Sequence, residues 1–235
     1  MDKLQKYKPS DKMIDLISDN YSLLQVMSRF GLSLGFGEKS VKEVCELNNV
    51  DYRTFLAVVN FIFDGYSQMD GKDADISIPA LIDYLKQSHR FFLDFYLPGI
   101  RRKLQEAIDP QNEIAFLVLK FFDGYTNEVR KHMDFEDDTV FKYVDTLLQG
   151  KIPPKGFKIN TFSRHHDQVG EKLSELKNII IKYCPSKDNE NLLNAALFDI
   201  YECEAELESH CKVEDYIFVP AIVNLERRVK AHEEQ

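Results

Sequence analysis

The stretches "HMDFE" (His132 to Glu136) and "HCKVE" (His210 to Glu214) share the form H-x-x-x-E. A spacing of four residues puts the imidazole and the carboxylate of each pair on one helix face, one turn apart. Both pairs fall within otherwise apolar stripes. Followed in steps of three and four, one pattern reads Phe121, Tyr125, Val129, His132, Glu136, Val140, Tyr143. Another reads Ala196, Ile200, Cys203, Leu207, His210, Glu214, Ile217, Ala221. Two further patterns carry a single inward histidine: Ile78, Leu81, Leu85, His89, Phe92, Tyr96, Ile100, and Phe162, His166, Val169, Leu173, Leu176, Ile180. His165 lies about 100° round the helix from His166, off the stripe. His232 belongs to the charged tail "KAHEEQ".

Each stripe is apolar except near one level, and there each holds a histidine. A single histidine on an apolar face is most often a core residue held by hydrogen bonds. A single H-x-x-x-E pair on a rotated face would be a surface salt bridge. The conjunction is a different matter, because uncompensated carboxylates in a core cost several kcal/mol each. Two of them beside four imidazoles make sense when a cation compensates. His89, His132, Glu136, His166, His210 and Glu214 are therefore the candidate metal ligands, and no residue is assigned a catalytic role.

Six ligands are too many for one tetrahedral zinc, and the chain has no HExxH motif. The Glu-x-x-His spacing of ferritin-like carboxylate bundles is also absent from these stripes. Imidazole with bridging carboxylate suits iron. If both glutamates bridge, the six residues supply about eight of the roughly twelve bonds that two octahedral irons accept. The expected cofactor is thus a pair of iron ions, oxo- or hydroxo-bridged, with room for an exogenous ligand such as O2 or NO.

Such a site needs helices to carry it. The chain reads as all-α, with almost no alternating strand pattern. "SQMDGKDAD", residues 67–75, is polar and marks a boundary between a small helical N-terminal domain (1–70) and a larger one (76–235). In the first, Gly31 ends one short helix, Ser40 caps another with Glu43 as its capping-box partner, and Asp51 caps a third that stops at Gly65. The second holds four long patterns, at about 79–107, 111–148, 160–183 (ended by Pro185) and 188–231. Their short to moderate connections predict an antiparallel up-down four-helix bundle.

Composition limits the function. The chain has 235 residues, 44% hydrophobic and 29% charged, with a net charge of -9. Nucleic acid and anionic membranes both select for basic surfaces, so neither is an expected partner. The start lacks an apolar secretory region and no apolar run reaches the ~20 residues of a membrane span. Four scattered cysteines, Cys45, Cys184, Cys203 and Cys211, fit reduced thiols in a cytoplasmic protein.

The order H … HxxxE … H … HxxxE resembles the hemerythrin-like (HHE cation-binding) family. "SHRFFLDFYLPGI", "HMDFEDDTVF", "HHDQVGEKL" and "HCKVEDYIFVPAI" are similar to its four helix motifs. The stretch from Ile17 to Ile62, "ISDNYSLLQVMSRFGLSLGFGEKSVKEVCELNNVDYRTFLAVVNFI", resembles the small N-terminal domain of RIC-type iron–sulfur cluster repair proteins. The resemblance implies a cytoplasmic di-iron protein that helps to restore clusters damaged by nitric oxide or oxidants. It carries over the six residues above as iron ligands, with Glu136 and Glu214 bridging. Damaged iron–sulfur proteins would be its clients, and the reading leaves room for a homodimer.

Two departures bear on this. Where that N-terminal domain commonly has a Cys-Cys-Gly-Gly turn, this chain reads Gly35, Phe36, Gly37, Glu38. The extra histidine that some members carry after the first helix is absent from "KLQEAIDPQNE". His89 also stands one residue further from Leu97-Pro98 than the family motif leads one to expect. Three functions compete: an iron-donating or redox repair protein rather than a conventional enzyme, an O2- or NO-binding sensor or carrier without repair activity, and a DNA-binding regulator. The last ranks lowest, since residues 1–70 hold eight Lys+Arg against ten Asp+Glu.

Overall fold

The computed structural model describes residues 7–64, 76–108, 111, 113–152, 159, 167–184 and 190–233. The expected boundary at 67–75, the helix stop at Gly65, Pro185, His165 and His166 lie outside the described residues. Among those described, every regular element is helical, and the one β-type feature is an isolated bridge between Lys12 and Ser40. The chain forms two compact units: Met1–Ser88 with Gly150–Ile152 and Lys212–Gln235, and His89–Gln149 with Pro153–Cys211.

The first unit opens with four helices: α1 (Met13–Asp19), α2 (Leu23–Arg29), α3 (Val41–Leu47) and α4 (Tyr52–Phe63). Local chemistry fixes their ends. Gly31, at φ +74°, closes α2, with its own N–H donating to Ser28 O and the Leu32 N–H to Met27 O. The Ser40 side chain accepts from the Glu43 N–H at the start of α3 while the Glu43 carboxylate accepts from the Ser40 N–H. Asp51 Oδ1 caps α4 by accepting from the Thr54 N–H (2.7 Å) and the Thr54 hydroxyl (2.6 Å). Thr54 is fully buried, and its Oγ1 in turn accepts from the Ser77 N–H at 2.8 Å. Asp51→Ala removes the cap and leaves the buried hydroxyl without its acceptor. It is expected to cost about 1–2 kcal/mol, read as a lower urea midpoint at unchanged slope.

Met13, Leu16, Val26, Met27, Val41, Val44, Phe55, Val58 and Val59 fill the interior beneath these helices, all 3% exposed or less. Phe30 packs on Phe55 and stacks on Tyr84 of α5 (Ile78–Arg90), at centroid distances of 5.4 and 4.7 Å.

In the second unit four helical runs share one apolar core: α6 (Leu97–Ala107), α7 (Glu113–Phe135), α9 (Asp167–Tyr183) and α10 (Glu190–Val213), with α8 (Phe141–Leu148) continuing the line of α7. The core holds Leu104, Val118, Phe122, Val129, Leu176, Ala196, Ile200 and Cys203, all without exposed surface. Ion pairs tie the runs together: Arg101 to Asp123 (α6 to α7), Lys172 to Glu128 (α9 to α7), Lys177 to Glu204 (α9 to α10) and Lys103 to Asp199 (α6 to α10). Lys177 also lies 4.1 Å from the centroid of the Tyr201 ring.

Among the described residues, three of the long helical runs are interrupted by a π-helical turn: π1 (Phe91–Tyr96), π2 (Glu136–Val140) and π3 (Glu214–Phe218), the last leading into α11 (Val219–Glu233). Each closes with an N–H bonded five residues back, Leu97 to Phe92 O, Phe141 to Glu136 O and Val219 to Glu214 O. A π turn holds one residue more than an α turn, so the inward stripe slips by one residue beyond it. The sequence stripes, traced at α-helical spacing, put Tyr96, Tyr143 and Ala221 inward. The structure leaves these only partly buried and buries Leu97, Val144 and Ile222 in their place.

Candidate metal centre

Two of the π turns begin on the glutamates of the H-x-x-x-E pairs, and the third begins two residues after His89. His89 lies in the last turn of α5, His132 in the last turn of α7, and His210 in the last turn of α10. His89, Glu136 and His210 are at most 2% exposed and offer ligand atoms within 4.8 Å of one another. Glu214 follows His210 by one turn of the same helix and has no exposed surface. His132 is slightly more open, at 11%. His166, the remaining residue of the expected set, lies outside the described residues.

Glu136 is the hub. Its Oε2 lies 3.0 Å from His89 Nε2 and its Oε1 lies 2.9 Å from His132 Nε2, so each carboxylate oxygen faces a different imidazole. The His210 ring stands edge-on to His89, with centroids 5.3 Å apart and planes at 75°. Apolar rings wall the group. Phe141 stacks on His89 at 5.8 Å and 16°, and Phe92 meets His210 at 5.9 Å. Neither Phe92 nor Phe141 has exposed surface.

His89 has a second contact, which the sequence stripes did not reveal. Its Nδ1 is 3.0 Å from Asp137 Oδ1. An ionised carboxylate only accepts, so the imidazole donates from Nδ1. Nε2 then faces Glu136 Oε2 as a lone pair facing a lone pair, unless a second proton or a cation lies between them. The only sequence sign of this contact is the aspartate directly after Glu136, and the 48-residue separation from His89 hides it from any local pattern.

Two turns above His132, Tyr125 is 2% exposed, and its hydroxyl has no hydrogen-bond partner among the described residues. Burial pushes this phenol well above its ordinary range, and the nearby Cys203, Cys211 and Glu204 add to the effect. Cys203, two turns before His210, is fully buried beside it as part of the same apolar core.

The donor set is nitrogen and carboxylate oxygen. The residues therefore fit a hard or borderline cation with octahedral preference. Among the described residues, no helix is long and apolar enough to cross a membrane.

Residues 80–222 match the family model of the hemerythrin HHE cation-binding domain. That span includes all six candidate ligands. No curated protein matches the chain.

Proposed function

The chain belongs to the hemerythrin HHE cation-binding family, and from that premise we propose that it is a di-iron protein acting in the repair of iron–sulfur clusters damaged by nitrosative or oxidative stress. The observation that carries the reading is the buried donor group around Glu136, with one carboxylate oxygen turned to each of two imidazoles. His89, His132, Glu136, His166, His210 and Glu214 would hold two iron ions, with Glu136 and Glu214 shared between them. Bound iron would supply one-electron chemistry and open positions for O2 or NO. The chain's own contribution is to hold the ligands in place, balance the cation charge with two buried carboxylates, and exclude water with Phe92 and Phe141.

On this reading, residues 76–235 form an antiparallel up-down four-helix bundle and residues 1–70 a small N-terminal domain of the RIC type. The protein would work in the cytoplasm, alone or as a homodimer, with damaged iron–sulfur proteins as clients. Its acidic balance gives nucleic acid and anionic membranes nothing to hold.

A second reading, an O2 or NO sensor without repair activity, has two observations in its favour. The one cysteine within residues 1–70 is Cys45, and burial pushes its thiol up to about 12, out of reactive range. Within the first unit, Phe61 of α4 touches Tyr216 of π3 (centroids 6.0 Å apart), two residues beyond Glu214. A change at Glu214 would then reach the N-terminal helices directly.

Anaerobic loading with Fe(II) is expected to leave about two irons per chain after desalting, and fewer than about one and a half counts against a dinuclear site. Mixing the loaded protein with an NO-damaged iron–sulfur enzyme separates the two functions. Recovered activity supports repair. No recovery, with reversible O2 or NO binding in the visible spectrum, supports sensing.

A further inference from the structure

Both H-x-x-x-E motifs continue with an aspartate, "HMDFED" and "HCKVED". The residue after a helical glutamate points about a quarter-turn round the axis. Asp137 therefore leaves the inward stripe and flanks it, with its side chain 43% exposed. From this flank it reaches Nδ1 of His89 at 3.0 Å, while Glu136 faces Nε2 of the same ring at 3.0 Å. Two consecutive residues of one helix thus address the two nitrogens of one imidazole, one from the rim and one from the core. Phe141, four residues beyond Asp137, stacks on the face of that ring.

We propose that Asp137 is the positioning residue of His89, accepting its Nδ1–H so that Nε2 is held as the metal-facing lone pair. The proposal rests on the reading of the His/Glu group as a metal site. A neutral imidazole has one N–H and one lone pair, and the hydrogen bond made by one nitrogen decides which role the other takes. Without Asp137, either nitrogen can carry the proton and the ring can turn about its Cβ–Cγ bond. With it, Phe141 fixes the ring plane and Asp137 fixes the direction within that plane. A carboxylate behind a ligating imidazole also makes it a stronger donor, and losing such a partner typically costs 10–100-fold in metal affinity.

Asp138 provides the internal control. It is the next acidic residue along, 72% exposed, and pairs with Lys142 at 2.6 Å. If Asp137 were only another surface charge, the two would behave alike.

The test uses the full chain, loaded anaerobically with Fe(II) and challenged with an excess of a chromogenic chelator. Asp137→Ala is expected to release iron about 10–100-fold faster than wild type. Asp137→Asn keeps an acceptor oxygen and should fall between the two, and Asp138→Ala should match wild type. Loading with Co(II) adds a signature, because the visible absorption band should shift in Asp137→Ala and not in Asp138→Ala. Metal-free helicity and melting should be the same in all four proteins. A wild-type release rate in Asp137→Ala, with wild type holding its iron, overturns the role of Asp137 and leaves the metal site standing. Wild type holding no iron sinks both. Should Asp137→Ala fail to fold, a wild-type release rate in Asp137→Asn overturns the proposal.

Discussion

Replacing Glu136 with alanine is expected to lower the iron retained after anaerobic loading from about two per chain to well below one, with helical content unchanged. Glu136 has no exposed surface and lies within 3.0 Å of both His89 and His132. On the di-iron reading, its removal would take away two donor oxygens and one of the negative charges that make a buried cation pair tolerable. Asp137 does not stand in for it, since its Oδ1 lies against Nδ1, the other nitrogen of His89. The isosteric Glu136→Gln separates charge from volume. Without metal it should melt close to the wild-type temperature, because the amide keeps the volume and can still hydrogen-bond to His89 and His132. With metal the two should separate. Wild type gains about 2.7 kcal/mol when free metal is a hundred times Kd, or roughly 5–10 °C for a chain of this size, and the variant gains little. Unchanged iron content and an unchanged metal-dependent melting shift would remove Glu136 from the site.

Phe122→Ala is expected to be the most destabilising single truncation in the helical core of the second unit, at about 3–5 kcal/mol. Phe122 has no exposed surface and sits in the shared apolar core, 6.4 Å from the Tyr125 ring. Its loss leaves a cavity in that core. The adjacent Phe121, which the sequence stripe placed inward, is only partly buried, so Phe121→Ala should cost clearly less. Phe116, on the same helix at 67% exposure, should change stability by no more than about 0.5 kcal/mol on truncation. Urea unfolding of the three variants orders them, and an equal cost at 121 and 122 would contradict the packing described here.

Period and capping chemistry by themselves determine much of this protein. The 3.6-residue repeat marked the long helices, and the single polar level in each stripe picked out His89, Glu136 and His210, which the structure gathers within 4.8 Å. Ser40, Asp51 and Gly31 announced helix ends correctly because a cap is made by residues within a few positions of each other. Tertiary structure decided the rest. The choice of a bond five residues back over one four residues back at Glu136 and Glu214 has no local signature, since α and π turns use the same residue types. That choice moved the buried face from Tyr143 to Val144 and from Ala221 to Ile222. The contact of Asp137 with His89 joins two helices 48 residues apart. A one-dimensional pattern records which face a side chain takes on its own helix, whereas the partner it meets across a bundle depends on how far each helix has turned before they pack.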